Sequence, residues 1–228
     1  MSAEAPAAWF AQPDSYIAGW EADAAGHELE LARGIVNAGE RHEVFRIVTV
    51  PVGDGKPEPF DYPAHLERGV RPFALTPEEA PAGRRFATPG RICWEEPDGR
   101  LVDGEVADLG PLLMRLRPDA APWAAELFMA YVPPVVVQPL SGAFNIVLRT
   151  DIWFPRILGV LDGDAPLPPA EPSRDNTRLA RCHTPRLNAF LADVRETALA
   201  LGGSWRPLPV EGLSRYASMT DAGGIVLQ

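Results

Sequence analysis

The chain has 228 residues, of which 46% are hydrophobic, and a formal net charge of −10. A chain of this length can bury a core without disulfides or metals, and this composition excludes wholesale disorder. No run approaches the roughly eighteen apolar residues that a membrane-spanning helix needs, and residues 1–12 lack the features of a signal peptide. We therefore expect one cytoplasmic domain over residues 1–228, with a loose tail at residues 1–12.

The first predicted elements are a short helix at residues 13–25 and a β-hairpin. Residues 27–34 and 43–52 alternate between polar and apolar side chains, and Asn37-Ala38-Gly39 between them is typical of a turn. Residues 53–90 are rich in proline and acidic side chains and punctuated by aromatic and aliphatic ones. We expect that stretch to be a long, packed loop.

A second hairpin is predicted further along the chain. Residues 91–96 and 101–106 flank Pro97-Asp98-Gly99, a sequence that favours a turn. Shorter elements follow at residues 109–116 (helix), 119–131 (helix) and 135–137 (strand).

Residues 143–161 are predicted to form strands that a helix covers. Aromatic and β-branched side chains recur there in short runs on either side of a bend at residues 151–155. Residues 185–201 carry one apolar stripe at helical spacing, with Thr184 and Pro185 as the predicted start and Gly202-Gly203 as the end. The stripe contains Leu187, Phe190, Leu191, Val194, Ala198 and Leu201.

A helix packed on one face of a mainly antiparallel sheet is an α+β arrangement, which is the fold class we predict. Around the long helix we expect a proline-rich surface loop at residues 162–172, a turn at residues 205–209 and an edge strand at residues 225–227.

The negative charge indicates a first kind of function. Residues 1–110 contain twenty acids and ten bases, whereas residues 111–228 contain eleven of each. This balance argues against nucleic acid as a partner, because phosphate binding requires clustered bases. An acidic face can attract a basic protein, or it can simply keep the surface solvated. The candidate partner-binding acids are Glu28, Glu30, Glu40, Glu43, Glu58 and Asp61, and the first hairpin would present Glu28, Glu30 and Glu43 together.

The densest group of polar side chains, at residues 174–186, indicates a second kind of function. It precedes the predicted helix, and its arginines would suit a carboxylate or phosphate ligand. The same residues would equally serve as ion pairs that tie a loop to the sheet. The catalytic candidates are Asp151, Asp175 and His183, and the ligand-binding candidates are Trp153, Arg174, Arg178, Arg181 and Arg186.

A metal site is the third hypothesis. His65 and Glu67 have the spacing found in sites with two imidazoles and one carboxylate, and His183 could supply the second imidazole. The two cysteines, Cys93 and Cys182, belong to no Cys-x-x-Cys pair and are predicted to be buried small apolar side chains, with a disulfide between them as the alternative. We expect neither a metal nor a cofactor.

We therefore put first an acidic interaction module, such as an inhibitor or immunity-type protein that covers a basic partner. The alternative is a small-molecule binder or enzyme that uses the acids of residues 151–164 and the Arg/His loop of residues 174–186. A metal-dependent oxygenase comes third. No membrane partner is expected.

Overall fold

The computed structural model describes residues 17–52, 56–59, 64–67, 89–116, 134–148, 150–157, 174–209 and 217–227. The predicted tail, the helix at residues 119–131, the loop at residues 162–172 and most of the loop at residues 53–90 lie outside these ranges. No helix in them is long and apolar enough to cross a membrane.

The strands and helices alternate in no simple order along the chain. The strands are β1 (Ala18–Asp23), β2 (Thr49–Val52), β3 (Lys56–Pro59), β4 (Gly90–Glu95), β5 (Leu101–Val106), β6 (Val136–Pro139), β7 (Ala143–Leu148), β8 (Arg156–Ile157), β9 (Arg174–Asp175), β10 (Trp205–Pro207), β11 (Ser218–Met219) and β12 (Ile225–Val226). The helices are α1 (Glu28–Arg41), α2 (Ala64–Glu67), α3 (Leu109–Leu116) and α4 (Thr177–Ala200), with a 3-10 turn at Asp151–Trp153.

The largest sheet has four strands in the order β10-β1-β7-β6, and every neighbouring pair is antiparallel. The remaining strands pair two by two as β2-β3, β4-β5, β8-β9 and β11-β12. The long helix α4 and the antiparallel sheets together form the predicted α+β fold.

One face of the four-stranded sheet belongs to the hydrophobic core. Trp20 and Ala22 of β1 are fully buried and lie opposite Ile146 and Phe144 of β7. Between them Glu21 is only half-buried, because successive side chains of a strand point to opposite faces. The strand predicted before the bend in residues 143–161 is thus confirmed as β7.

Helix α4 brings the apolar stripe into the core as predicted. Leu187, Phe190 and Val194 are fully buried, and Leu191 is 3% exposed. The helix packs against α1, the 3-10 turn, β4 and β1. The ring of Phe190 meets that of Phe45 edge-on, with 5.6 Å between ring centroids.

The start of α4 was predicted wrongly. The helix begins at Thr177, so Pro185 lies inside it and Thr184 does not cap it. Pro185 cannot donate the usual hydrogen bond to the carbonyl of Arg181. The helix continues across this break because Asn176, His183 and Thr184 hydrogen-bond to the 3-10 turn.

The end of α4 was predicted correctly. Gly202 has φ +82°, a conformation that a side chain disfavours. Its N–H donates to the Leu199 carbonyl at 3.0 Å, and the Gly203 N–H donates to the Ala198 carbonyl at 2.9 Å. This pattern closes the helix as a Schellman motif.

The first predicted hairpin is wrong, because residues 28–41 form helix α1. Leu31 and Ala32 are buried, and so are Ile35 and Val36 four residues further on, which is a helical pattern. The local alternation at residues 27–33 concealed this longer period. Gly34 lets the two long helices approach, since a Cβ there would lie 2.6 Å from Thr197 Cγ2 of α4.

Two further predictions are wrong in the four-stranded sheet. Residues 18–23 form β1 instead of a helix, with the Trp20 indole N–H donating to the Gly223 carbonyl at 2.8 Å. Trp205 begins the edge strand β10 where a turn was expected. The hairpin β4-β5, helix α3 and strands β6 and β12 are confirmed.

Phe190 provides a test of this packing. Phe190→Ala should lower the free energy of unfolding by about 3–5 kcal/mol, because the truncation leaves a cavity in a fully buried position. Leu199→Ala is the matched control, since Leu199 lies on the same helix and is 48% exposed. Denaturant unfolding measures both. Equal losses for the two variants would contradict the described orientation of α4.

Candidate functional site

The N-terminal turns of α4 enclose the 3-10 turn through buried hydrogen bonds. The Asn176 side-chain amide donates to the carbonyls of Ile152 (3.2 Å) and Phe154 (2.9 Å), and its backbone N–H donates to the carbonyl of Pro155 (2.9 Å). The Thr184 hydroxyl donates to the carbonyl of Trp153 at 2.7 Å. We call this arrangement, residues 150–155 with 176–184, the clasp.

His183 lies at the centre of the clasp and is fully buried. Its Nε2 accepts the backbone N–H of Cys93 in β4 at 2.8 Å, while Nδ1 faces the carbonyl of Ile152 at 3.3 Å. Because Nε2 accepts a hydrogen bond and Nδ1 faces a carbonyl oxygen, the proton of the neutral ring is on Nδ1. Burial, together with the positive charge of Arg186, lowers the pKa of His183 to about 4.

The aromatic candidate Trp153 is part of the same structural unit. It is 1% exposed, its indole N–H donates to the Pro134 carbonyl at 2.8 Å, and it meets the His183 ring edge-on at 5.8 Å between centroids. Asp151 is also fully buried. These side chains lie inside the molecule, and those of Trp153 and His183 bond to backbone groups.

The charged candidates lie on the outer side of the clasp. Arg178 and Arg181 are exposed, and Arg178 forms an ion pair with Glu95 of β4 at 3.2 Å. Asp175 is exposed and accepts the backbone N–H of Thr177 at 2.8 Å, and hydrogen bonds from the Thr177 side chain and backbone lower the pKa of Asp175. The side chain of Arg174 lies outside the described part of the structure. The predicted group is therefore divided between the interior and the surface.

The proposed metal ligands do not converge on a described centre. Both ring nitrogens of His183 face backbone groups, so neither is directed at an ion. His65 is buried in α2, and the Glu67 side chain lies outside the described residues. Within the described ranges, no three His, Cys, Asp or Glu side chains form a group that could hold a metal.

A concave site lies elsewhere, between the end of α1 and the β4-β5 hairpin. We call it the groove; its volume is about 460 Å³. Its lining combines four carboxylates and two guanidinium groups with Phe45, Pro89 and Gly104. The charged members are Glu40, Glu43, Asp103, Glu105, Arg46 and Arg91.

Ion pairs connect the two walls of the groove. Arg46 binds Glu105 through two N–H donors, at 2.8 and 2.9 Å. Arg91 donates to Asp103 at 2.8 Å and to both carboxylate oxygens of Glu43, at 2.9 and 3.0 Å. These contacts raise the pKa of both arginines, and the contact with Arg46 lowers the pKa of Glu105.

Two of the predicted partner-binding acids, Glu40 and Glu43, line the groove. Glu28 and Glu30 belong to the first turn of α1, so Glu28 begins about 18 Å along the helix axis from Glu40 at 1.5 Å per residue. The expectation that Glu28, Glu30 and Glu43 share one strand face is therefore wrong. The side chain of Glu58 and the whole of Asp61 lie outside the described residues.

Sequence reasoning missed Asp103 and Glu105, although a signal for them was present. They alternate along the correctly predicted β5, which places them on one face of the hairpin with Arg91 of β4. In the pairing of β4 with β5, Arg91 lies opposite Glu105 and Cys93 lies opposite Asp103. Opposite charges across strands would have identified one wall of the groove.

Comparison of the chain with protein-family models, curated proteins and solved structures found no match.

The buried imidazole of His183 provides a pH test. The unfolded chain restores a pKa near 6.5, whereas the folded value is about 4. Between these values only the unfolded state takes up the proton. The stability is therefore fully present above about pH 6.5 and is lost as the pH falls towards about 4.

We expect the free energy of unfolding to fall between about pH 7 and pH 5 by about 2 kcal/mol more in the wild type than in His183→Gln. Glutamine retains an acceptor for the Cys93 N–H but does not titrate. Urea unfolding at both pH values gives the difference, in which the contributions of other groups cancel. The same pH dependence in both proteins would contradict the proton assignment.

Proposed function

We propose that the protein is an interaction module that binds a basic segment of another protein in the groove. The observation that carries this proposal is a concavity of about 460 Å³ in which four carboxylates face two guanidinium groups. The lining residues thus have a formal charge of −2, from four negative and two positive groups. A guanidinium or ammonium group of a partner would offset this excess.

The apolar part of the groove lining favours a partner side chain with a long aliphatic stem. Phe45 is 2% exposed and Pro89 is buried, so both present a fixed apolar surface below the charged groups. Arginine and lysine place their methylene groups along such surfaces while the charged end stays among carboxylates. An arginine of the partner would find a matching environment here.

The ion pairs of the groove are exposed enough to exchange partners. The side chains of Arg46 and Glu105 are 47% and 55% exposed, and the Arg91–Glu43 pair is about as open. Exposed pairs contribute only about 0–1 kcal/mol to stability. An incoming guanidinium group can share these carboxylates at little cost to the fold.

The alternative, a small-molecule site around Asp151, Trp153 and His183, has less support. The hydrogen bonds described for Trp153 and His183 are to backbone groups of the clasp. The exposed Arg178 is engaged with Glu95. These contacts stabilise the clasp.

Neutralising one end of α1 tests the proposal. Glu40→Gln/Glu43→Gln removes two acids from the groove, and Glu28→Gln/Glu30→Gln removes two from the other end of the same helix. The probe is a fluorescent arginine-rich peptide, whose Kd is measured by anisotropy at low salt. We expect the groove variant to bind about tenfold more weakly, since two exposed charge pairs are lost.

The control variant should bind the peptide nearly as the wild type does. Raising the ionic strength from about 0.01 M to about 0.15 M should weaken wild-type binding, as the Debye length shrinks from about 30 Å to about 8 Å. Equal weakening in both variants would show attraction to net charge alone. That result, or wild-type protein that does not bind the peptide at low salt, would overturn the proposal.

A further inference from the structure

Helix α4 and strand β4 run side by side in a regular register. On the helix, positions 178, 182 and 186 are four residues apart and therefore lie on one face. On the strand, positions 95, 93 and 91 alternate and also share one face. Contacts join residue 178 to residue 95 and residue 186 to residue 91, so the helix row and the strand row run antiparallel.

The outer contacts of this register are explicit. Arg178 forms its ion pair with Glu95 at 3.2 Å, and the Arg186 guanidinium donates to the backbone carbonyl of Arg91 at 2.9 Å. Between them Cys182 comes to lie beside Cys93. The Cys93 backbone is held as well, because its N–H donates to the next helix residue, His183, at 2.8 Å.

The two thiols differ in exposure although they are in contact. The Cys182 side chain lies close enough to the Cys93 thiol to help raise its pKa. Cys93 is 7% exposed, whereas Cys182 is exposed, which corrects the expectation that both are buried. The Cys182 thiol also lies 3.8 Å from the carbonyl of Arg178 within the helix. Both thiols are free in this structure.

We propose that Cys182 is a modification site for low-molecular-weight disulfides, and that Cys93 resolves the adduct by forming a reversible Cys93–Cys182 disulfide. An accessible thiol next to a resolving cysteine is the arrangement that allows such a conversion. The flanking contacts, Arg178–Glu95 and Arg186–Arg91, hold the two residues in register before any bond forms.

The reaction proceeds by two thiol–disulfide exchanges. The Cys182 thiolate attacks one sulfur of oxidised glutathione, which forms a mixed disulfide and releases one glutathione thiolate. The Cys93 thiolate then attacks the Cys182 sulfur and expels the second glutathione thiolate. Each departing thiolate takes up a proton that a protein thiol released to water. Two protein thiols are thus oxidised, and one glutathione disulfide is reduced to two thiols.

The order of attack follows from the surroundings of each sulfur. Burial and the neighbouring Cys182 raise the pKa of Cys93 to about 11. Cys93 therefore remains a thiol at neutral pH, and Cys182 meets the oxidant first. Since the closing step consumes the Cys93 thiolate, it should become faster as the pH rises.

The disulfide would join β4 to α4 and close a long loop of the chain. In the chain-entropy description, a constraint between residues 93 and 182 should raise Tm by roughly 10 °C. A reductant should reverse this shift. The change would link the hairpin wall of the groove covalently to the helix.

The test uses the full chain and oxidised glutathione, with intact-mass and peptide-mass analysis under non-reducing conditions. The wild type should lose two hydrogens, carry no glutathione and yield a cross-linked peptide pair containing Cys93 and Cys182. Cys93→Ala should instead retain glutathione on Cys182. Cys182→Ala should stay unmodified, because the remaining thiol is buried.

Wild-type protein with a persistent glutathione adduct on Cys182 and no cross-linked peptide would overturn the proposal. So would a Cys182→Ala variant that reacts as fast as the wild type. The wild-type result does not depend on any variant folding. The Tm shift and its reversal by reductant are measured on the same sample, and gel filtration without reductant distinguishes an intramolecular bond from a link between two chains.

Discussion

Four consecutive backbone carbonyls, those of residues 152–155, constrain the rest of the structure. Two of them belong to the 3-10 turn and two follow it, all in the interior, where an unpaired carbonyl would be costly. All four accept hydrogen bonds from residues 176–184, through Asn176, His183 and Thr184. Because a helix presents these three residues along one side, α4 must extend to Thr177 in spite of Pro185.

The clasp also positions both walls of the groove. His183 accepts the Cys93 N–H and Arg186 donates to the Arg91 carbonyl, so β4 and its hairpin follow the position of α4. The opposite wall is the end of α1, which packs on α4 at the glycine contact between Gly34 and Thr197. The distance between the two walls is therefore set by α4, and the ion pairs across the groove form on surfaces that are already in place.

How much of this was predictable depends on the range of the interactions. The stripe of α4, its end at Gly202-Gly203 and the β4-β5 hairpin are local patterns, and they were predicted correctly. The start of α4 was not, because Thr184-Pro185 is a good local start signal. The bond from Thr184 to the Trp153 carbonyl, over thirty-one residues of sequence, overrides it.

The same distinction explains the errors at the N-terminal end and in the candidate site. Residues 27–33 alternate over too short a length to separate a strand from the first turns of a helix, and the burial of Ile35 and Val36 decides the matter only in the fold. His183 and Trp153 were chosen for their chemistry, but composition alone does not distinguish a ligand-binding polar side chain from one that bonds to backbone. That difference lies in the direction of each nitrogen, which the chain sets through contacts far apart in sequence.

The charges of the groove follow a different rule from those of the clasp. Polar groups inside the clasp are bonded because burial makes a missing partner costly, whereas the groove's charges remain half in water. Such pairs add little to stability, so folding alone does not require four carboxylates at one concavity. A binding role would account for their concentration there, since attraction to a cation depends on the excess of negative charge. Arg46 and Arg91 would then hold the carboxylates in position and offset the repulsion among these carboxylates when no partner is bound.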